Sequence, residues 1–153
     1  KGYIRRLPGG SRAIEVLGAP QVVSEEVVSV PIAGRVTAGE PILAIENIEG
    51  YVHFDRKFLS SKNVFLLRVQ GDSMIEAHIQ DGDFALVQPQ SSAKNGEIVV
   101  ALVEDEATIK RIFQQRDLVR LEPANPSMEP LVIKKGEKNV SIVGRVVGIF
   151  RKL

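Results

Sequence analysis

The stretch Ile98-Val99-Val100-Ala101-Leu102-Val103-Glu104-Asp105-Glu106-Ala107-Thr108-Ile109-Lys110-Arg111-Ile112-Phe113 decides the fold class. Two runs rich in β-branched residues flank an acidic tripeptide. Such runs suit a pleated, half-buried surface, and the acidic tip suits a tight connection in water. The pattern predicts a hairpin with one strand over 98–103 and the next over 107–113. Asn95-Gly96, a strong turn pair, leads into it. The same grammar repeats outward. Apolar runs at 64–69, 84–87, 118–121, 131–133 and 140–150 are broken by turn signals such as Asp81-Gly82-Asp83 and Pro123-Ala124-Asn125-Pro126. No long helical period occurs; 75–79 and 55–59 read as short helical turns. Many short strands at this spacing predict a mainly β, compact and partly closed fold.

The amino-terminal part differs. Residues 1–4 and 13–17 read as short strands around Pro8-Gly9-Gly10-Ser11, and 18–29 as a polar linker containing Ser24-Glu25-Glu26. The compact domain is expected over 30–153. The chain has 153 residues, 44% apolar and 25% charged, enough for one domain with a real core. No apolar run approaches the roughly 18 residues of a membrane span, and no signal peptide is visible. The absence of cysteine excludes disulfides, thiolate metal sites and a cysteine nucleophile. A net charge of +1 provides no broad field for nucleic acid. The expectation is a cytoplasmic protein and, since Lys1 is not methionine, a fragment or processed product.

Chemistry concentrates at Gly71-Asp72-Ser73-Met74. A sharp turn there leaves the 64–69 strand and enters the 75–79 helical turn. It presents the Ser73 hydroxyl near backbone N–H groups not yet committed to a helix. A serine needs a base to become a nucleophile. His78 shares the same short element and would point away; His53 follows Tyr51-Val52 on a surface strand. Neither has a carboxylate to orient it. Lysine is the other option, once burial lowers its pKa from about 10.4. Alternation along 107–113 puts Lys110 on the face of Thr108 and Ile112, with Arg111 opposite. An inward Lys110 would be desolvated, with Thr108 able to orient its amine. On the residues alone, an edge strand with a solvated Lys110 is the simpler account.

Four motifs in order shift that balance. Pro31-Ile32-Ala33-Gly34-Arg35-Val36-Thr37-Ala38-Gly39-Glu40-Pro41, Gly71-Asp72-Ser73-Met74, Asn95-Gly96-Glu97-Ile98-Val99-Val100-Ala101 and Glu106-Ala107-Thr108-Ile109-Lys110-Arg111 resemble the LexA repressor family of self-cleaving Ser/Lys peptidases. Lys1-Gly2-Tyr3-Ile4 and Ser11-Arg12-Ala13-Ile14 resemble the end of that family's winged-helix domain. The resemblance implies a LexA/signal-peptidase-like β fold in which 1–17 is the remnant of a DNA-binding domain. It implies Ser73 as nucleophile and neutral Lys110 as general base. The bond cut would be Ala38-Gly39, with the N–H groups of Ser73 and Asp72 holding the oxyanion. Val36 and Ile42 would anchor the loop; without the resemblance, 37–41 reads as a surface turn. No metal or cofactor is implied. The implied partners are a second copy, bound through the C-terminal domain, and the RecA–single-stranded-DNA filament. Operator DNA would be reached only through the missing N-terminal domain. The implied role is a bacterial SOS repressor inactivated by its own cleavage. The alternatives are a UmuD-like polymerase accessory protein, a prophage repressor with the same dyad, a signal-peptidase-like enzyme acting in trans, and a β-rich binding module without catalysis.

Overall fold

The computed structural model describes residues 4–5, 16–17, 26–37, 39, 42–43, 45–61 and 63–153. Strands β1 (Ile4–Arg5) and β2 (Val16–Leu17) pair as a two-stranded antiparallel ribbon. The other strands are β3 (Val27–Ala33), β4 (Ile48–Asp55), β5 (Phe65–Arg68), β6 (Phe84–Pro89), β7 (Ile98–Val103), β8 (Glu106–Gln114), β9 (Leu118–Glu122), β10 (Leu131–Lys134) and β11 (Val140–Phe150). They form one mixed nine-stranded sheet in the order β10-β9-β8-β7-β11-β6-β5-β3-β4. All pairings are antiparallel except β3 with β5. The fold is mainly β, as expected.

Strands β5, β6 and β7 are apolar on both faces because both faces are covered. On one face Phe65, Leu67, Ala85, Val87, Val100 and Leu102 build the main core. On the other face two smaller clusters form. One centres on Val30, Leu66 and Leu86, the other on Val99, Ala101, Ile112 and Leu121. The β7–β8 hairpin turns at Glu104-Asp105, with Glu104 at φ 56°.

Three local features depart from expectation. Val27, Val28 and Ser29, read as linker, are the start of β3 and pair with β4 from Val27↔Asp55. Strand β4 alternates half-buried and exposed residues, and its Ile48–Gly50 half was not foreseen beside the surface strand around His53. The helical turns at 75–79 and 55–59 are single 3₁₀ turns, Ile75–Ala77 and Arg56–Phe58. A third 3₁₀ turn, Ile45–Asn47, had no signal in the sequence.

Strand β11 lies between β7 and β6, with register shifts at Ile142/Gly144 and Val146/Gly148. Gly144 is required there. A Cβ at this position would sit 2.6 Å from the Gln88 carbonyl oxygen and 2.6 Å from Val87 Cγ1.

Candidate active site

Ser73 lies in the connection between β5 and β6, and Lys110 in the middle of β8. Backbone contacts tie the connection down. The Val69 N–H donates to the Asp83 carbonyl at 2.8 Å, and the Gly82 N–H returns a bond to Val69 at 2.9 Å. The Gly71 N–H donates to Asp81 Oδ1 at 2.7 Å. Gly71 has φ 85°, a left-handed conformation that a side chain would strain. Met74 is buried in the main core, so the residue after the serine anchors the turn from within.

Lys110 reaches Ser73 from across the sheet. Its Nζ lies 3.0 Å from Ser73 Oγ and 2.5 Å from Thr108 Oγ1. Along the hairpin, Lys110 faces Val99 and Thr108 faces Ala101, both fully buried. Ile112, two residues on, is buried as well. This apolar setting disfavours the ammonium, and burial pushes the Lys110 amine below its ordinary value of 10.5. A neutral amine offers one lone pair and two N–H donors. It can accept the Ser73 hydroxyl proton while donating to Thr108, and both neighbours suit that form. Arg111 points the other way, is exposed, and donates to the Gly96 carbonyl at 2.9 Å.

Ser73 and Lys110 open on a cavity of about 410 Å³ whose lining includes Gly34, Arg35, Val36, Asp72, Thr108 and Met128. The segment just before Ala38 therefore borders the same cavity as the serine. Val36 is 5% exposed and belongs to the main core, and Ile42 packs against that core. Gly39 is exposed at φ 83°, with open space where a Cβ would stand. Ala38 lies outside the described residues. The N–H groups of Asp72 and Ser73 donate to no described residue. His78 and His53 are both exposed, and His53 Nδ1 bonds the Ser29 hydroxyl at 2.8 Å.

The model of the Peptidase S24-like family matches residues 31–147, most of the chain. The LexA repressor of Geobacter sp. (strain M21) is 52% identical over 153 residues, covering 100% of this chain and 74% of that protein.

The chain belongs to the LexA repressor family.

Two further LexA repressors are similar over the same span. That of Geobacillus sp. (strain WCH70) is 51% identical, covering 99% of this chain and 73% of that protein. That of Caldicellulosiruptor saccharolyticus is 48% identical, covering 100% and 74%. The S24-like match makes the LexA-family domain one of serine-peptidase type.

Several residues that shape this LexA-family site were not singled out in the sequence. Asn47 is one. Its side chain accepts from the Arg35 N–H at 3.2 Å and donates to the carbonyls of Arg35 (2.7 Å) and Ile42 (2.6 Å). It thus ties together the two ends of the segment that carries Gly39. Asp81 and Asn125 are others; both read only as turn residues. Their signal was an Asx residue beside Gly or Pro, which marks a turn but not the partner it reaches.

Proposed function

We propose that this chain is the self-cleaving part of a LexA-type repressor and that it cuts its own Ala38-Gly39 bond. The observation that carries the reading is the 3.0 Å approach of a desolvated Lys110 amine to the Ser73 hydroxyl. Neutral Lys110 takes the Ser73 proton as Oγ bonds to the Ala38 carbonyl carbon. The oxyanion so formed is held by the N–H groups of Ser73 and Asp72, which have no partner among the described residues. As the C–N bond breaks, the proton passes from Lys110 to the leaving amine of Gly39. Water, deprotonated by Lys110, then hydrolyses the Ser73 ester of Ala38.

Because nucleophile and substrate share one chain, their effective concentration is high. Restraint must come from the loop's approach and from the charge on Lys110. With Val36 and Ile42 already packed at the core, docking of the 37–41 segment between them lifts both restraints, since it brings the bond close and dries the amine. A partner that favours the docked state accelerates cleavage by population shift. By family resemblance that partner is the RecA–single-stranded-DNA filament, and the outcome is loss of repression. Residues 1–17 are then the end of an operator-binding domain, 18–26 a linker, and the remainder the peptidase and dimerisation domain of a bacterial cytoplasmic protein. Among the described residues no helix is long and apolar enough to cross a membrane.

The test is mass spectrometry after incubation at alkaline pH. Two fragments that join at Ala38/Gly39, absent in Ser73→Ala, are expected. An intact chain after prolonged incubation would leave a β-rich module without this activity.

A further inference from the structure

The oxyanion donors assigned above are useful only if their peptide planes are held still, and the bonds within the turn leave part of that task to a neighbouring loop. The turn is gripped from outside. The loop between β9 and β10 makes three bonds to it. The Ala124 N–H donates to the Ser73 carbonyl at 2.7 Å, and the Ala124 carbonyl accepts from the Glu76 N–H at 2.8 Å. The Asn125 Nδ2 group donates to the Asp72 carbonyl at 2.8 Å. The direction of the last bond is fixed by its other end. Asn125 Oδ1 accepts from the Ser127 N–H at 2.8 Å, so the amide nitrogen must face Asp72.

That bond determines where the next N–H points. No peptide bond in the described chain is cis. In a trans peptide, C=O and N–H point in opposite directions. The carbonyl of Asp72 and the N–H of Ser73 belong to one peptide plane, so drawing the carbonyl toward Asn125 turns the Ser73 N–H away from it. Asp72, Ser73 and Met74 line the cavity, whereas Ala124 and Asn125 are not among its described lining. The grip therefore comes from residues outside the described lining, and the Ser73 N–H, turned away from it, is left free to face the cavity. Among the described residues the Asp72 carbonyl has one other donor, the Ile75 N–H, at a longer 3.3 Å. Asn125 makes the shorter contact.

We propose that Asn125 is a positioning residue that, through the Asp72 carbonyl, aims the Ser73 N–H at the oxyanion. This rests on the self-cleavage reading above. Asn125 touches no reacting atom and does not alter the surroundings of Lys110. Its loss should lower the rate at every pH without moving the pH at which the rate rises.

The isosteric change Asn125→Asp separates the roles. It keeps the acceptor for Ser127 but replaces the donor with a carboxylate facing the Asp72 carbonyl. Self-cleavage of the full chain is followed from neutral to alkaline pH for the parent, Asn125→Asp and Asn125→Ala, with thermal unfolding of each. Deleting one oxyanion donor outright costs about 10²–10³ in rate. Misaiming one should lower the plateau about 10- to 100-fold in both variants, with the pH midpoint unchanged in the uncharged Asn125→Ala. A plateau within twofold of the parent in either folded variant overturns the proposal. So does a shift in the midpoint of Asn125→Ala that accounts for its loss, since Asn125 would then act through Lys110. If both variants unfold, the parent decides by NMR: one Asn125 side-chain proton should exchange slowly with solvent, and free exchange of both refutes the bond. A parent that never cleaves overturns the underlying reading instead, and this proposal with it.

Discussion

To act as the proposed base, Lys110 must be dry enough to lose its proton, yet it lines a cavity open to water. Burial against Val99 and Ala101 lowers its pKa, which fixes the direction of two effects. The cleavage rate should rise with pH and level off above the folded-state pKa. A flat rate in a chain that stays folded would remove Lys110 as base. The second effect is on stability. Between its folded pKa and the ordinary 10.5, the folded chain binds fewer protons at this site than the unfolded chain. Stability from this group therefore rises with pH across that window. At lower pH the desolvated ammonium is a standing cost to the fold. In a Ser73→Ala background that keeps the chain intact, Lys110→Met should melt at or above the temperature of its parent at pH 7. Its advantage should shrink as pH rises toward 10.5. A Met variant that melts several degrees lower at pH 7 would show that the charged amine stabilises the fold.

At the level of elements, the β7–β8 hairpin was legible because its apolar runs and acidic tip agree with one another. Its placement of Lys110 followed from simple alternation, and Ile112 is buried on the face where alternation put it. Strand β3 was half lost because its first residues pair with β4, and no local pattern encodes a partner about twenty-five positions away. The same holds for Asn125, which reaches Asp72 across 53 positions. Local chemistry announces a turn; only the folded chain says what the turn touches. Strand β11 gives a sharper case. Its two glycines read as interruptions, yet Gly144 is where two neighbouring strands come too close for a side chain. Gly144→Ala should destabilise the domain by about 1–3 kcal/mol, the usual cost of forcing a methyl into a packed site. Gly148→Ala, whose Cβ would meet only Leu86 side-chain atoms at 3.7 Å or more, should cost clearly less. Urea titrations of both compare them, and equal losses would contradict the packing account. A second element-level expectation concerns Asn47. Asn47→Ala frees both ends of the segment carrying Gly39 and should change the cleavage rate at least several-fold while leaving the pH midpoint in place. A rate within twofold of the parent would show that those bonds do not govern the loop.

At the scale of the whole molecule, Arg151 is tied to the segment that follows Ser73. Arg151 Nε donates to Asp83 Oδ1 at 2.7 Å, and an Nη2 proton reaches Oδ2 at 2.8 Å. The same nitrogen lies 3.2 Å from the His78 carbonyl, and the Gln80 N–H donates to Asp83 at 2.8 Å. The Arg151 guanidinium thus holds the Asp83 carboxyl below its ordinary 3.8 and pins the segment after Ser73. A lowered carboxyl pKa stabilises the fold above the unfolded value, and the contribution is lost as pH falls through the folded value. Arg151→Met should therefore lower the melting temperature at pH 7, and its deficit should narrow below pH 4. A deficit that is constant with pH would mean that Arg151 acts by packing alone. Just before Arg151, Ile149 and Phe150 remain exposed beside Phe54 and Phe58, around an apolar groove. Phe58 is 73% exposed, and Phe150 meets Phe54 edge-on at 6.3 Å. Such a patch, on β11 and the turn after β4, suits the second copy proposed above. Placing a charge there would bury it unpaired in a dimer but leave it solvated in a monomer. Phe58→Glu should therefore shift sedimentation at micromolar concentration from dimer toward monomer. Its side chain packs so little within one chain that the variant should still fold, losing no more melting temperature than loss of the dimer brings. A parent that sediments as a monomer would refute dimerisation through this face, and a variant that stays dimeric would move the contact elsewhere.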